Sequence, residues 1–182
     1  MAGCLDATVL QWETMSIART RDVPEARMTQ IQRGNAVVSR YAEQRGSSSS
    51  TASSRYVALG SHTEGEFGLF DYRIAAGAPG AVPHYHEHFT ESFYVLEGRL
   101  SLFDGNDWMT AAPGDLVYVP KKSVHAFRND TDAEARFVIV FTPGAPREEY
   151  FDELASLRAT GRELTTEEID ELAARHGQIN VR

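Results

Sequence analysis

Between Tyr56 and Pro143 short runs of apolar residues recur, polar residues alternate within them, and glycine, proline or Asp/Asn-rich turns close them. Runs at 56–59, 67–74, 92–96, 99–103, 116–119, 125–128 and 135–141 predict strands, because side chains of a strand alternate faces with period two. Turns such as Asp104-Gly105-Asn106 and Asn129-Asp130-Thr131-Asp132 fall between them. This is the pattern of an all-β barrel or sandwich. After Pro143 the period changes. Tyr150, Phe151, Leu154 and Leu157 lie three and four apart, and Pro146 suits the first turn of a helix running to about Arg158. Thr165 with Glu168 three residues on forms a capping box for a second helix, which closes near Gly177 with Arg175 and His176 in its last turn. These helices are expected to pack outside the barrel or close one end of it, a dimer interface being the second option.

The part before the barrel is less structured in its pattern. Residues 1–33 show no sustained periodicity, and Met15 or Met28 are alternative starts. Residues 46–54 read Gly-Ser-Ser-Ser-Ser-Thr-Ala-Ser-Ser, too polar to bury apolar surface, and are expected to form a mobile loop or linker. The chain is therefore divided into an N-terminal extension with a Ser-rich linker (1–54), a β-barrel (55–143) and a helical extension (144–182).

Composition narrows the functional classes. With 182 residues and 42% hydrophobic content the chain can bury a substantial core. No apolar run reaches the length of a membrane span, and Asp6 and Glu13 interrupt the N-terminal segment where a secretory leader would be apolar. Cys4 is the single cysteine, so no internal disulfide forms and a cytoplasmic location is expected. The net charge of −8 and the scattering of the 18 basic residues argue against a nucleic-acid partner.

Chemistry concentrates in two segments. His84 and His86, next-but-one neighbours in a strand, project both imidazoles to one side. Glu91 follows after four residues, with a turn expected at 88–90 and a new strand ending at Gly98. His125 comes from a separate strand and reaches the same place only if the sheet curls or closes on itself. Three imidazoles and one carboxylate are the makings of a mononuclear metal site. His88 continues the alternation but sits where the chain must turn, so it is read as a loop residue. His62 and His176 lack partners in sequence and are read as surface. Lys121-Lys122 is read as a solvated turn, with local steering of anions beside His125 as the alternative.

The two segments resemble the paired signatures of the cupin superfamily. His84, His86, Glu91 and Gly98 reproduce the spacing of the first signature, whose leading glycine is displaced: Ala78 stands there, flanked by Gly77 and Gly80. Gly114, Pro120, His125 and Asn129 match the second, with Lys122 where a glycine is usual. Likeness outside the motifs extends over about 66–74 and 135–143. The resemblance implies an all-β cupin fold, a double-stranded β-helix or jelly-roll barrel, here followed by C-terminal α-helices. It implies one divalent metal per chain held by His84, His86, Glu91 and His125, with Fe(II) first and Mn, Ni or Zn as alternatives. A homodimer is also implied.

Within the superfamily the chain is similar to single-barrel proteins of the quercetin 2,3-dioxygenase type, in strand 94–98, the aromatic strand 67–72 and the trailing Pro-Gly-containing segment with Tyr150-Phe151. That likeness implies an Fe(II) dioxygenase of a small aromatic or enolisable substrate, with Glu91 both ligating the metal and accepting the substrate proton. A non-redox isomerase, cyclase or decarboxylase is the alternative, and a non-catalytic binding protein a third class. By strand parity Phe93 and Val95 share the face of Glu91, and Phe127 that of His125. These three are the candidate pocket wall, ordinary barrel core being the competing reading.

Overall fold

The structure is a computed structural model that describes residues 36–182. Cys4, Met15, Met28 and the head at 1–33 lie outside the described residues. Eleven strands and two helices follow in order: β1 Gly46–Ser48, β2 Ala52–Ala58, β3 Gly68–Ile74, β4 Ala81–His86, β5 Thr90–Glu97, β6 Leu100–Phe103, β7 Trp108–Ala111, β8 Leu116–Val119, β9 His125–Arg128, β10 Ala135–Thr142, α1 Arg147–Ala159, α2 Thr166–Arg175 and β11 Gln178–Asn180. One sheet has the order β1-β2-β3-β10-β5-β8, the other β11-β4-β9-β6-β7. Among the described residues all strand pairings are antiparallel.

Alternation builds the core between the sheets. On β5 the residues Glu91, Phe93 and Val95 are buried while their neighbours are not, and on β10 the same holds for Ala135, Phe137, Ile139 and Phe141. Phe93, Phe127 and Phe137 pack with Tyr72 into an aromatic cluster whose neighbouring ring centroids lie 5.2–6.1 Å apart. Such edge-on and tilted contacts add to the area term of burial. On the outer face Arg136 of β10 grips Asp71 of β3 through two hydrogen bonds of 2.9 and 2.8 Å and Glu97 of β5 through one of 3.0 Å, tying three strands together.

Three expectations need correction. The serine-rich stretch is not a linker: Gly46–Ser48 and the start of β2 are paired strands, because the free edge of β3 offers backbone partners that override a weak local preference. The tail is not purely helical either. After α2, whose Thr165–Glu168 capping box forms as the sequence predicts, the chain re-enters a sheet as β11 beside β4. His176, expected at the surface, is half-buried and bonds Glu153 through Nε2 at 2.9 Å.

Backbone needs explain two of the motif positions. Gly98 turns β5 into β6 at φ 73°, and a Cβ there would stand 2.5 Å from the Glu134 carbonyl oxygen and 2.9 Å from the Ala135 Cα. Lys122 adopts φ 65°, the conformation that a glycine supplies without strain, and its N–H donates to the His86 carbonyl at 2.7 Å. Gly77→Ala meets a positive φ but no atom within 4 Å. In denaturant unfolding we expect Gly77→Ala to cost about 1 kcal/mol from conformation alone and Gly98→Ala more than about 3 kcal/mol from conformation plus clash. Equal costs would contradict the close approach.

Candidate metal centre

His84 and His86 stand on β4, His125 on β9 directly opposite His84, and Glu91 on β5 of the other sheet. The cluster thus spans the two sheets at one end of the sandwich. All four residues are buried, and one ligand atom from each can be chosen so that all lie within 4.8 Å of one another. Glu91 Oε2 lies 3.0 Å from His86 Nε2, 2.9 Å from His125 Nε2 and 3.9 Å from His84 Nε2.

The outer nitrogens decide how the rings face. Nδ1 of His84 donates to the Val82 carbonyl at 2.8 Å, Nδ1 of His86 to the Gly177 carbonyl at 3.0 Å, and Nδ1 of His125 to the Ser123 carbonyl at 3.0 Å. A neutral imidazole that gives its proton at Nδ1 presents a lone pair at Nε2. With all three rings in that form, three lone pairs and a carboxylate oxygen would face one another in a buried space, an arrangement that is repulsive until positive charge, a proton on a ring Nε2 or a metal ion, sits among them. Phe89 stacks on His86 with centroids 4.3 Å apart and fixes the plane of that ring.

Protonation follows the same logic. Burial pushes His84 down to about 3, so it stays neutral. Burial alone would raise Glu91, but hydrogen bonds from His125 and His86 hold it well below the usual carboxylate range. Burial would lower His125, yet the Glu91 carboxylate overrides it and raises the ring above its ordinary value. The set therefore attracts positive charge, whether proton or ion. Its donors could hold a divalent metal, since three imidazoles and a carboxylate suit several first-row ions.

A cavity of about 140 Å³ opens beside His84 and Glu91. Its apolar wall includes Phe127, Phe141, Phe151 and Leu154, and its polar groups include Tyr150, Gln178 and Arg147. Of the three residues expected to form the pocket wall, Phe127 lines this cavity. Phe93 and Val95 are packed in the core cluster and do not line it. They share the inward face as parity predicts, but they lie deeper along β5 than Glu91 does. His88 is exposed and points to no ligand atom of the set. Lys122 is exposed at its turn.

The tail residues Arg147, Tyr150, Phe151, Leu154 and Gln178 are the part of the site that sequence reasoning missed. Arg147 opens α1 and is buried; it donates to the His176 carbonyl at 3.0 Å and to Gln178 Oε1 at 2.9 Å. Burial pushes its guanidinium below the ordinary value. The helical stripe at Tyr150, Phe151 and Leu154 was legible, but not that it faces the histidines.

Comparison with known proteins agrees with this geometry. Residues 70–141 match the family model of the cupin domain. The chain is 36% identical over 90 residues to quercetin 2,3-dioxygenase of Bacillus subtilis (strain 168), a match covering 50% of this chain and 26% of that protein. It is 42% identical over 65 residues to polyketide synthase CurC of Streptomyces cyaneus, covering 35% and 42%. The matched region thus spans less than half the length of these two curated relatives. Among solved structures, KdgF from Halomonas sp. superposes with a TM-score of 0.53 at 17% identity, covering 60% of this chain and 94% of that one, a likeness of fold. The family model identifies residues 70–141 as a cupin domain, and the likeness to solved structures is one of fold.

Proposed function

We propose that the protein is a metal-dependent enzyme in which His84, His86, Glu91 and His125 hold one divalent ion and Glu91 also accepts a proton from a small aromatic or enolisable substrate. The observation that carries this reading is the convergence of three Nε2 atoms, each backed by an Nδ1–H···O=C bond, on one carboxylate beside a cavity. A bound divalent ion supplies stabilisation of an anionic oxygen, and Fe(II) adds redox chemistry with dioxygen. The chain's own groups do the rest. Glu91 is ionised and lines the cavity, so its carboxylate is placed to take a substrate proton. Phe127, Phe141 and Phe151 exclude water from the reacting end, which strengthens each polar contact made there.

The likeness to quercetin 2,3-dioxygenase over half of this chain supports an Fe(II) dioxygenase as the first reading. The likeness to a polyketide synthase supports the alternative, a non-redox isomerase, cyclase or decarboxylase working through the same polarisation. A homodimer is proposed with it: β8 is a sheet edge whose Leu116 and Tyr118 are exposed, and such an edge favours pairing.

Three experiments test the proposal. Metal analysis of His86→Ala is expected to show occupancy lost by about tenfold or more, while His88→Ala retains it. Retention by both would rule out the assigned ligands. In native protein, protons compete with the ion for Nε2, so metal affinity should fall at least about tenfold between about pH 7.5 and about pH 5.5. For the reaction, phenolic and enolic compounds are screened at an oxygen electrode. Iron-dependent oxygen uptake is expected; turnover without oxygen would establish the non-redox alternative, and binding without turnover under every metal would exclude both enzyme readings.

A further inference from the structure

We propose that Arg147 is the anchor for a carboxylate group of the ligand, so that the substrate class is a small phenolic or enolisable acid held at one end by the metal-binding set and at the other by the guanidinium. The inference rests on the reading of the metal centre for the first of those ends. Arg147 itself is argued from its own surroundings.

A guanidinium is one of the costliest groups to bury, and it normally enters a protein interior with a carboxylate. Arg147 is 3% exposed, and among the described residues its hydrogen-bond partners are two neutral oxygens, the His176 carbonyl and Gln178 Oε1. Its Nε is buried with no acceptor. Five N–H bonds are available on the side chain and two of them are committed, so a planar fork is left with unspent donors. The aromatic rings around it stabilise positive charge: the guanidinium carbon lies 4.2 Å from the Tyr150 ring centroid, 5.5 Å from that of Phe141 and 5.7 Å from that of Phe151. They do not satisfy its N–H groups.

Position turns this unpaired charge into a specificity element. Arg147 lines the same cavity as His84 and Glu91, and Arg158 lines it as well. A divalent ion bound by three neutral imidazoles and one carboxylate leaves a residual positive charge, to which the guanidinium adds a second. A cavity of that sign, inside a chain of net charge −8, is complementary to an anion and not to a neutral flavonoid-like molecule. The planar fork of arginine matches a carboxylate, and the aromatic wall of Phe127, Phe141 and Phe151 matches a flat ring.

The test compares 3,4-dihydroxybenzoate with 3,4-dihydroxybenzamide, which share a chelating catechol and differ in charge at the opposite end of the ring. Both are titrated calorimetrically into the full chain loaded with redox-silent zinc, with zinc content measured on the same samples. The acid is expected to bind at least about tenfold tighter than the amide. Arg147→Gln is expected to abolish that preference with zinc content unchanged. Because Arg147 also braces the tail, Gln178→Glu provides the decisive variant. It places a resident carboxylate on the oxygen that Arg147 already contacts, so it should remove the acid preference while leaving the fold intact or firmer. A purely bracing arginine predicts the same intact or firmer fold but an unchanged ligand preference. Equal affinities in the native protein, or an acid preference that survives Gln178→Glu, would overturn the proposal. Failure of the native protein to retain zinc would instead defeat the metal reading, and the acid–amide comparison on the metal-free chain would then still decide the role of Arg147.

Discussion

Three hydrogen bonds from imidazole Nδ1 atoms to main-chain carbonyls hold the site in its chemical form. Each fixes a tautomer, and together they oblige His84, His86 and His125 to turn their basic nitrogens toward Glu91. The carbonyls come from three different stretches of chain: Val82 on β4, Ser123 in the turn before β9, and Gly177 after α2. The fold around them reads as the means of bringing those carbonyls into place. β4 and β9 must pair in the register that sets His84 opposite His125, and β5 must face them from the other sheet. The tail must return so that Gly177 lies over His86.

That last requirement links the helical extension to the centre. β11 pairs with β4 so that Gln178 stands opposite His86 and Asn180 opposite His84. The C-terminal segment is therefore an edge strand of the ligand-bearing sheet, while α1 carries Arg147, Tyr150, Phe151 and Leu154 to the cavity wall. Arg147 joins the two parts, since its hydrogen bonds run from the start of α1 to His176 and Gln178. The barrel supplies the donor atoms and the tail supplies the shape and charge of the space beside them.

Much of this was legible in the sequence because it rests on short-range geometry. His84 and His86 had to share a face, Glu91 and His125 stood at the spacing of the cupin signatures, and the strands at 116–119 and 125–128 appear with the predicted bounds. The Thr165–Glu168 box gave the start of α2. What escaped depends on long-range pairing. Gln178–Asn180 is too short to show a period, and its strand character comes wholly from β4. Serines at 47 and 48 read as linker because their partners lie on β2, whose own place is set by β3. Arg147 lies in the polar run Pro146-Arg147-Glu148-Glu149 at the start of a helix, and its burial follows from where α1 docks, which no local pattern encodes. Parity placed Phe93, Val95 and Phe127 on the inward face but carries no information on depth, so it could not separate core from cavity wall.

The chemistry of the site requires four side chains to share one ion through nitrogen and oxygen atoms already turned toward one another. X-ray absorption spectroscopy of the metal-loaded full chain tests this most directly. Three imidazole scatterers and one carboxylate oxygen at roughly 2.0–2.2 Å are expected in the inner sphere. A spectrum with no imidazole multiple scattering, or one unchanged when His84 and His125 are both replaced, would contradict it.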